Sequence, residues 1–292
     1  MSGSYLARVG ARTASLRTVL CVGIDPEIAS LPPGFSADLA GIERFARLIL
    51  EASLPYAVAV KPNLAFFEAH GSAGMAALER LRALVPAEVA FVADAKRGDI
   101  GSTAALQAVA LYDRLGADAI TVNPYLGEEA VGPLIAREDR FAYVLCRTSN
   151  AGAGELQSLA VAADDAAGYP AEPLWARVAR RVATWGPGDT VGLVVGATAP
   201  RELALVRAMV PGLALLVPGV GAQGGEVGPV LASGPATAGT AGTIAGGGLL
   251  VNVSRGIARA ALEPASGGAH GDPGERLAGA AAAWAARLAV LP

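Results

Sequence analysis

The sequence predicts an α/β fold, a single (β/α)8 TIM barrel spanning residues 1–292. Three observations lead to this expectation. Short apolar runs alternate with longer amphipathic stretches, eight such runs occur, and polar residues fall where the runs end. A length of 292 residues suits one barrel around one core, because α/β barrels routinely reach this size as one domain.

The predicted strands are runs of Val, Ile, Leu and Ala without polar alternation, which is typical of strands buried on both faces of a parallel sheet. They are residues 19–24, 57–61, 89–93, 119–122, 142–146, 191–195, 213–217 and 249–253. The stretches between them carry apolar residues at helical spacing. Predicted helices are 39–52, 73–84, 103–115, 174–184 and 200–209. Eight such units with right-handed crossovers can close into a barrel without a free sheet edge.

Polar residues at the strand ends favour the barrel over its alternative, a doubly wound open sheet. They end or follow the strands on the carboxyl side, the face where barrel enzymes place their chemistry. These residues are Asp25, Lys61, Asp94, Asn123, Arg147, Pro218 and Ser254. Two connections, 151–173 and 232–248, are longer and less regular, and loops of this length either cover a site or remain mobile.

Composition and charge exclude several classes of partner. The net charge is -3, so no broad basic surface is available to bind a nucleic-acid polymer, and any phosphate recognition has to be local. No apolar stretch reaches membrane-spanning length and no signal peptide is apparent, so we expect a cytoplasmic protein without a membrane partner. Cys21 and Cys146 lie within predicted strands, which indicates buried thiols and not a disulfide or metal site.

A cluster of charged residues follows the third predicted strand. If that strand continues to Lys96, the side chains of Asp94 and Lys96 point the same way, because strand side chains repeat with period two. A surface salt bridge is the simplest interpretation. Asp99 and, at the end of the adjacent strand, Lys61 favour instead an alternating Lys-Asp-Lys-Asp array at the barrel mouth.

A phosphate site is predicted after the last two strands, where barrels commonly hold phosphate. The Gly-rich loop at 219–225 frees backbone N–H groups to approach an anion, and tight turns alone are the less favoured explanation of its glycines. Arg255 offers a bidentate fork for phosphate oxygens, and Gln223 adds a neutral donor.

Asp94, Lys96 and Asp99 together resemble the Asp-x-Lys-x-x-Asp signature of the orotidine 5'-phosphate decarboxylase family. Six further motifs occur in the same order as in that family. They are VGIDP at 22–26, VKPN at 60–63, TVNPY at 121–125, RTSN at 147–150, PGVGAQGG at 218–225 and NVSRGI at 252–257. The RTSN element is similar to that of the longer bacterial, type 2 subgroup. The family often has Pro after this Asn, where this chain has Ala151.

The resemblance implies decarboxylation of orotidine 5'-monophosphate (OMP) to uridine 5'-monophosphate (UMP), the last step of de novo UMP biosynthesis, with no cofactor and no metal. Lys96 would protonate C6, and the implied catalytic set is Lys96, Asp94, Lys61 and Asp99. The implied substrate-binding residues are Asp25, Thr103, Ser149, Pro218, Gln223 and Arg255. Ser149 would contact the pyrimidine, although it could equally cap a helix. The implied assembly is a homodimer in which Asp99 and Thr103 complete the partner's site.

Three alternatives remain open from the sequence. Related barrels, such as 3-keto-gulonate-phosphate decarboxylase and hexulose-phosphate synthase, use a similar array with a divalent metal, but they carry an additional carboxylate near the second strand, where this chain has Lys61-Pro62-Asn63. A Schiff-base aldolase needs a lysine of lowered pKa, which close carboxylates oppose. A barrel that only binds nucleotides would leave the charged array without a chemical role.

Overall fold

A closed barrel of eight parallel strands forms the centre of the molecule, in the order β1-β10-β9-β8-β5-β4-β3-β2. The structure is a computed structural model, and it describes residues 3–262 and 272–290. The strands are β1 (Leu20–Ile24), β2 (Ala59–Pro62), β3 (Ala90–Arg97), β4 (Ala119–Val122), β5 (Phe141–Arg147), β6 (Ala160–Val161), β7 (Glu172–Pro173), β8 (Val191–Val195), β9 (Ala214–Pro218) and β10 (Leu250–Val253). The (β/α)8 prediction is confirmed. The prediction that 1–292 form one domain extends over residues that the structure does not describe, and it stays a prediction.

Helices surround the barrel. They are α1 (Tyr5–Leu16), α2 (Leu39–Ser53), α3 (Ala65–Glu68), α4 (Gly71–Arg82), α5 (Gly101–Ala108), α6 (Gly132–Ile135), α7 (Ala153–Gln157), α8 (Leu174–Val182), α9 (Pro200–Met209), α10 (Val227–Ser233), α11 (Gly239–Thr243), α12 (Arg255–Ala258) and α13 (Pro273–Arg287). The predicted helix at 103–115 is in fact α5 followed by a π-helical segment, Val109–Arg114. None of the helices in the described part of the chain combines the length and the hydrophobicity that a membrane span requires.

The strands are buried on both faces, which explains their unbroken apolar composition. In β1 all five residues are buried. Val22 and Val60 belong to the layer between strands and helices, whereas Cys21 and Ala59 belong to a second cluster inside the barrel. Because successive strand residues face opposite sides, each strand supplies both cores. Cys21 and Cys146 are free and buried, as predicted.

The N-terminal helix closes the amino end of the barrel, which we call the base. The buried Tyr5 hydroxyl lies 3.2 Å from that of Tyr143, and its ring stacks on Phe141 at 4.8 Å. Arg8 adds an ion pair with Asp118 at 2.8 Å. The segment after α13 also lies at the base, since Thr18 bridges Ala289 and the Val19 N–H donates to the Leu288 carbonyl.

The two irregular connections lie at opposite ends of the barrel. Residues 232–248 pack with α1 through Ala236 and Ala241, so they fill space at the base instead of covering a site. Residues 151–173 follow β5 and lie at the carboxyl end of the strands, which we call the mouth. They form α7 and the antiparallel pair β6–β7, and Glu172 binds Arg177 and Arg180 of α8 at 2.9 Å each.

Candidate active site

A cavity of about 510 Å³ opens at the mouth of the barrel. Its volume falls within the range of small-ligand pockets, about 300–1,000 Å³. Most of the site residues predicted from the sequence line it. These are Asp25, Lys61, Asp94, Lys96, Ser149, Pro218, Gln223 and Arg255. The structure therefore brings these predicted residues together around one cavity, and their roles stay a prediction.

Lys61, Asp94 and Lys96 form a charged cluster on one wall, which we call the Lys-Asp-Lys cluster. The Lys61 ammonium donates to Asp94 Oδ2 at 2.6 Å, and the Lys96 ammonium donates to Asp94 Oδ1 at 2.6 Å. The Lys61 side chain is only 5% exposed and that of Asp94 11%, whereas that of Lys96 is 49% exposed. Of the three charged side chains of this cluster, all of which line the cavity, Lys96 is therefore the most exposed.

Electrostatics keep the buried pair ionised. Burial alone would raise the pKa of Asp94, but the adjacent charges of Lys61 and Lys96 outweigh burial and hold that pKa well below its ordinary value. Burial alone would lower the pKa of Lys61, and the carboxylates of Asp94 and Asp25 together reverse that effect and raise it. A lysine whose pKa is raised does not suit Schiff-base formation, which argues against the aldolase alternative at Lys61.

The orientation of the Lys96 side chain has a different cause from the regular strand alternation that the sequence predicted. The strand does continue past Lys96, but regular alternation does not orient its side chain. Lys96 has φ +48°, in the left-handed region that residues other than glycine rarely adopt. Ala93 pairs with Ile120 and Arg97 pairs with Val122. Between these two pairs β3 advances by four residues, whereas β4 advances by only two. A bulge therefore sets the direction of the Lys96 side chain.

Asp25 lies at the end of β1, beside the cluster. Its Oδ1 is buried and has no hydrogen-bond partner among the described residues. Unsatisfied buried oxygens are uncommon in proteins and call for a partner. The cavity that Asp25 lines is the direction from which a ligand hydroxyl could supply one.

The loop after β5 forms the roof of the cavity and carries Ser149. Gly196 and Gly219 make room for it, because a Cβ at Gly196 would come within 2.8 Å of Ser149 and one at Gly219 within 3.0 Å. Gln157 of α7 holds the same loop by accepting the Thr148 N–H at 2.9 Å and donating to the Thr148 hydroxyl at 2.8 Å. The irregular 151–173 connection thus fixes the loop that bears Ser149.

The opposite wall carries the two residues that the sequence predicts to bind phosphate. Gln223 and Arg255 are exposed, and neither side chain has a hydrogen bond or ion pair with the rest of the described chain. The loop before Gln223 turns sharply at Gly219, where φ is +98°. Trp284 steadies the segment next to Arg255, since its indole N–H donates to the Gly256 carbonyl at 3.1 Å.

Asp99 and Thr103 do not line the cavity of their own chain. Asp99 lies in the loop after β3, where its carboxylate accepts the Ile100 N–H at 2.8 Å, and Thr103 is exposed on α5. Of the Lys-Asp-Lys-Asp array expected at the mouth, three members therefore line this cavity, and the fourth, Asp99, does not.

The sequence analysis overlooked two residues that hold the site in place, Thr121 and Gln157. Thr121 is 2% exposed, donates to Asp94 Oδ1 at 2.8 Å and accepts the Lys96 N–H at 3.0 Å. One signal was available, because Thr121 is the only polar residue of β4. No comparable signal marks Gln157, since its contacts depend on how the 151–173 connection folds back.

Comparison with known proteins places the chain among relatives of one kind. The model of the orotidine 5'-phosphate decarboxylase / HUMPS family matches residues 18–268. An orotidine 5'-phosphate decarboxylase of Herpetosiphon aurantiacus is 43% identical over 87% of this chain and 88% of its own length. One from Thermomicrobium roseum is 44% identical over 87% and 86%. The solved OMP decarboxylase of Leishmania donovani superposes with a TM-score of 0.75 at 36% identity, covering 94% of both chains. The chain therefore belongs to the orotidine 5'-phosphate decarboxylase / HUMPS family.

Proposed function

We propose that this protein decarboxylates OMP to UMP and CO2 as a step of pyrimidine biosynthesis. The observation that carries the proposal is the position of Lys96. Its ammonium, fixed at 2.6 Å from Asp94, lines the same cavity as the phosphate-binding candidates Gln223 and Arg255. The relatives from Herpetosiphon aurantiacus and Thermomicrobium roseum are both named orotidine 5'-phosphate decarboxylase. Their names support the OMP-specific branch of the family over the metal-dependent branch.

The chemistry requires a cation next to the reacting carbon. When the bond between C6 and the carboxylate breaks, its electron pair stays on C6 of a ring that delocalises it poorly, and the required lowering of the barrier is roughly 20 kcal/mol. The Lys96 ammonium stabilises that pair electrostatically and then donates a proton to C6. UMP leaves with a C6–H bond, and Lys96 recovers its proton from solvent.

Asp94 has two tasks in this proposal. It holds Lys96 through the 2.6 Å hydrogen bond, and it lies on the side of the substrate carboxylate. Like charges disfavour the bound substrate, and the repulsion disappears as neutral CO2 departs. Lys61 balances the charge of Asp94, because an unpaired buried carboxylate costs several kcal/mol.

The remaining residues bind the parts of the substrate that do not react. Lys61 and Asp25 contact the ribose, and the free Oδ1 of Asp25 suits a ribose hydroxyl. Ser149 contacts the pyrimidine, and Pro218 closes the cavity beneath it. Gln223 and Arg255 bind the phosphate, whose binding energy contributes to the transition state as well as to affinity.

We further propose that the working unit is a homodimer in which Asp99 and Thr103 complete the partner's site. Both residues lie outside their own cavity, next to exposed apolar side chains. These are Ile100, Leu106, Val109, Tyr125 and Leu126, with exposures of 62%, 69%, 37%, 80% and 56%. An exposed apolar surface of this kind marks a protein interface.

The decisive experiment follows the loss of OMP absorbance with wild type and Lys96→Ala, both in a metal chelator. We expect turnover by wild type and loss of about 10³-fold or more in the variant, since a fixed charge at a developing anion contributes at least that much. Activity that disappears in chelator would point to the metal-dependent branch. Tight UMP binding without any CO2 release would indicate a barrel that only binds nucleotides.

A mixing experiment tests the dimer. Lys96→Ala and Asp99→Ala chains are inactive alone, but a heterodimer contains one intact site of its two. Random mixing in equal amounts gives half heterodimers, so about a quarter of the wild-type activity should return in a symmetric dimer. No recovery, with both variants dimeric by ultracentrifugation, would place Asp99 in its own chain's site or in none.

A further inference from the structure

Thr121 occupies a position that connects the backbone of the catalytic candidate to its carboxylate partner. It is 2% exposed, lies in β4 and lines the cavity next to the Lys-Asp-Lys cluster. Its hydroxyl makes two hydrogen bonds, accepting the Lys96 N–H at 3.0 Å and donating to Asp94 Oδ1 at 2.8 Å.

The direction of both hydrogen bonds is fixed by chemistry. The Lys96 N–H can only donate, so the hydroxyl must accept there, which leaves its proton for the ionised carboxylate of Asp94. An aliphatic side chain could make neither bond. Valine, which has nearly the same shape, would remove both at once.

The bulge in β3 needs such a partner. A residue with a side chain is strained in the left-handed region, and Lys96 adopts φ +48° there. The register shift between Ala93 and Arg97 deprives the Lys96 N–H of a carbonyl partner in β4, and Thr121 replaces that carbonyl. The normal ladder resumes when the Asn123 N–H donates to the Arg97 carbonyl at 2.7 Å.

We propose that Thr121 is a positioning residue that holds the Lys96 ammonium and the Asp94 carboxylate in their reactive arrangement. This inference rests on the proposed function for its effect on turnover. Thr121 acts through its two hydrogen bonds, one to the strained backbone and one to the carboxylate. It fixes the relative position of two groups that are carried by the same short segment.

The test compares Thr121→Val with Thr121→Ser and uses Thr190→Val as the matched control. Thr190 is 1% exposed at the start of β8, and its buried hydroxyl has no hydrogen-bond partner among the described residues. Thr190→Val is therefore the same change at an equally buried place, with no hydrogen bond to lose. Steady-state OMP turnover gives kcat and KM separately for each variant.

We expect Thr121→Val to lower kcat by about 10- to 100-fold, because a small misplacement of a catalytic group costs up to about 100-fold. Its KM should stay within about threefold, since substrate binding uses other groups. Thr121→Ser should recover most of the loss, and Thr190→Val should resemble wild type. Equal losses in Thr121→Val and Thr190→Val, or a kcat for Thr121→Val within twofold of wild type, would overturn the proposal.

A second measurement does not depend on turnover. Amide hydrogen exchange of Lys96, followed by NMR in the ligand-free protein, should accelerate about tenfold or more in Thr121→Val and remain slow in Thr121→Ser. Unchanged exchange in Thr121→Val overturns the inference even if the wild type proves inactive on OMP, which separates this failure from failure of the proposed function. If Thr121→Val does not fold, Thr121→Ala against Thr121→Ser makes the same comparison, and equal kcat and exchange in that pair would be decisive against it.

Discussion

The two walls of the cavity are built in opposite ways. The wall with Lys61, Asp94 and Lys96 lies on a pair of strands, two of its three charged side chains are largely buried, and all three are already paired by hydrogen bonds of 2.6 Å. The wall with Gln223 and Arg255 lies on loops, is exposed and has no side-chain partners among the described residues. The difference indicates that the groups proposed for chemistry are preorganised, whereas the groups proposed for phosphate binding obtain their partner only from the ligand.

This contrast also separates stability from function. Each buried charge in the cluster is stabilised by the opposite charge beside it, which offsets the loss of hydration. A change there should therefore affect folding and turnover together. Removing an exposed side chain from the phosphate wall breaks no contact within the described chain. Such a change should therefore affect ligand binding and leave the free energy of unfolding almost unchanged. The following predictions test that division, beginning with the largest effect.

Asp94→Asn should damage both properties. It leaves the buried Lys61 ammonium and the Lys96 ammonium without their shared carboxylate, which should cost about 3 kcal/mol in the free energy of unfolding. Turnover should fall by about 100- to 1,000-fold. Urea unfolding and OMP assays measure the two effects, with Asp113→Asn, in an exposed ion pair with Arg137, as the control that should change little in either. A stable but inactive Asp94→Asn protein would break the link between the two properties on this wall.

Acid should weaken the cluster only at low pH. Because the pKa of Asp94 is lower in the folded state than its ordinary value of 3.8, its contribution to stability is fully present above that value and is lost as pH falls through the lowered one. The stability difference between wild type and Asp94→Asn should therefore stay constant from pH 7 to about 5 and shrink below about 4. Urea unfolding over this range measures it. A difference that already shrinks between pH 7 and 5 would contradict the lowered pKa.

Arg255→Ala should affect the phosphate wall alone. Loss of a charged hydrogen bond to phosphate should lower kcat/KM by about 10- to 100-fold, and the free energy of unfolding should change by less than about 0.5 kcal/mol. Arg259→Ala is the matched control, because Arg259 lies in the same segment, is exposed and does not line the cavity. Steady-state kinetics and urea unfolding distinguish the two variants, and a destabilised Arg255→Ala protein would show that this wall also serves folding.

Gln157→Ala should give the smallest effect. It removes both bonds to Thr148 and loosens the Ser149 loop, so we expect KM to rise by about three- to tenfold, with kcat less affected. The neighbouring Leu156→Ala provides the control, since Leu156 is 57% exposed and does not line the cavity. If both substitutions raise KM equally, α7 acts as a whole and the contacts of Gln157 carry no special weight.

The eight strands, and the meeting of polar residues at one end of the barrel, could be predicted because both follow from local patterns. A strand buried on two faces has to be apolar, and polar residues at its carboxyl end have to meet in a closed barrel. The same reasoning located Asp25, Lys61, Asp94 and Arg255, all of which line the cavity.

Other features depend on long-range contacts or on backbone irregularity. The bulge at Lys96 departs from period two because of Thr121, which is 25 residues away, and no local pattern encodes that contact. The helix α1 was overlooked because its role is to bury Tyr5 against Tyr143, 138 residues later. Residues 232–248 gave a pattern of low complexity, yet their small side chains are what lets them pack closely beneath the barrel.

The closed base has a practical consequence. The Val290 N–H donates to the Arg17 carbonyl at 3.1 Å, so the segment after α13 meets the segment after α1 on the side away from the mouth. A surface tether or a fluorophore attached at an exposed residue of α1, such as Ser15, would therefore leave the opening of the cavity unobstructed.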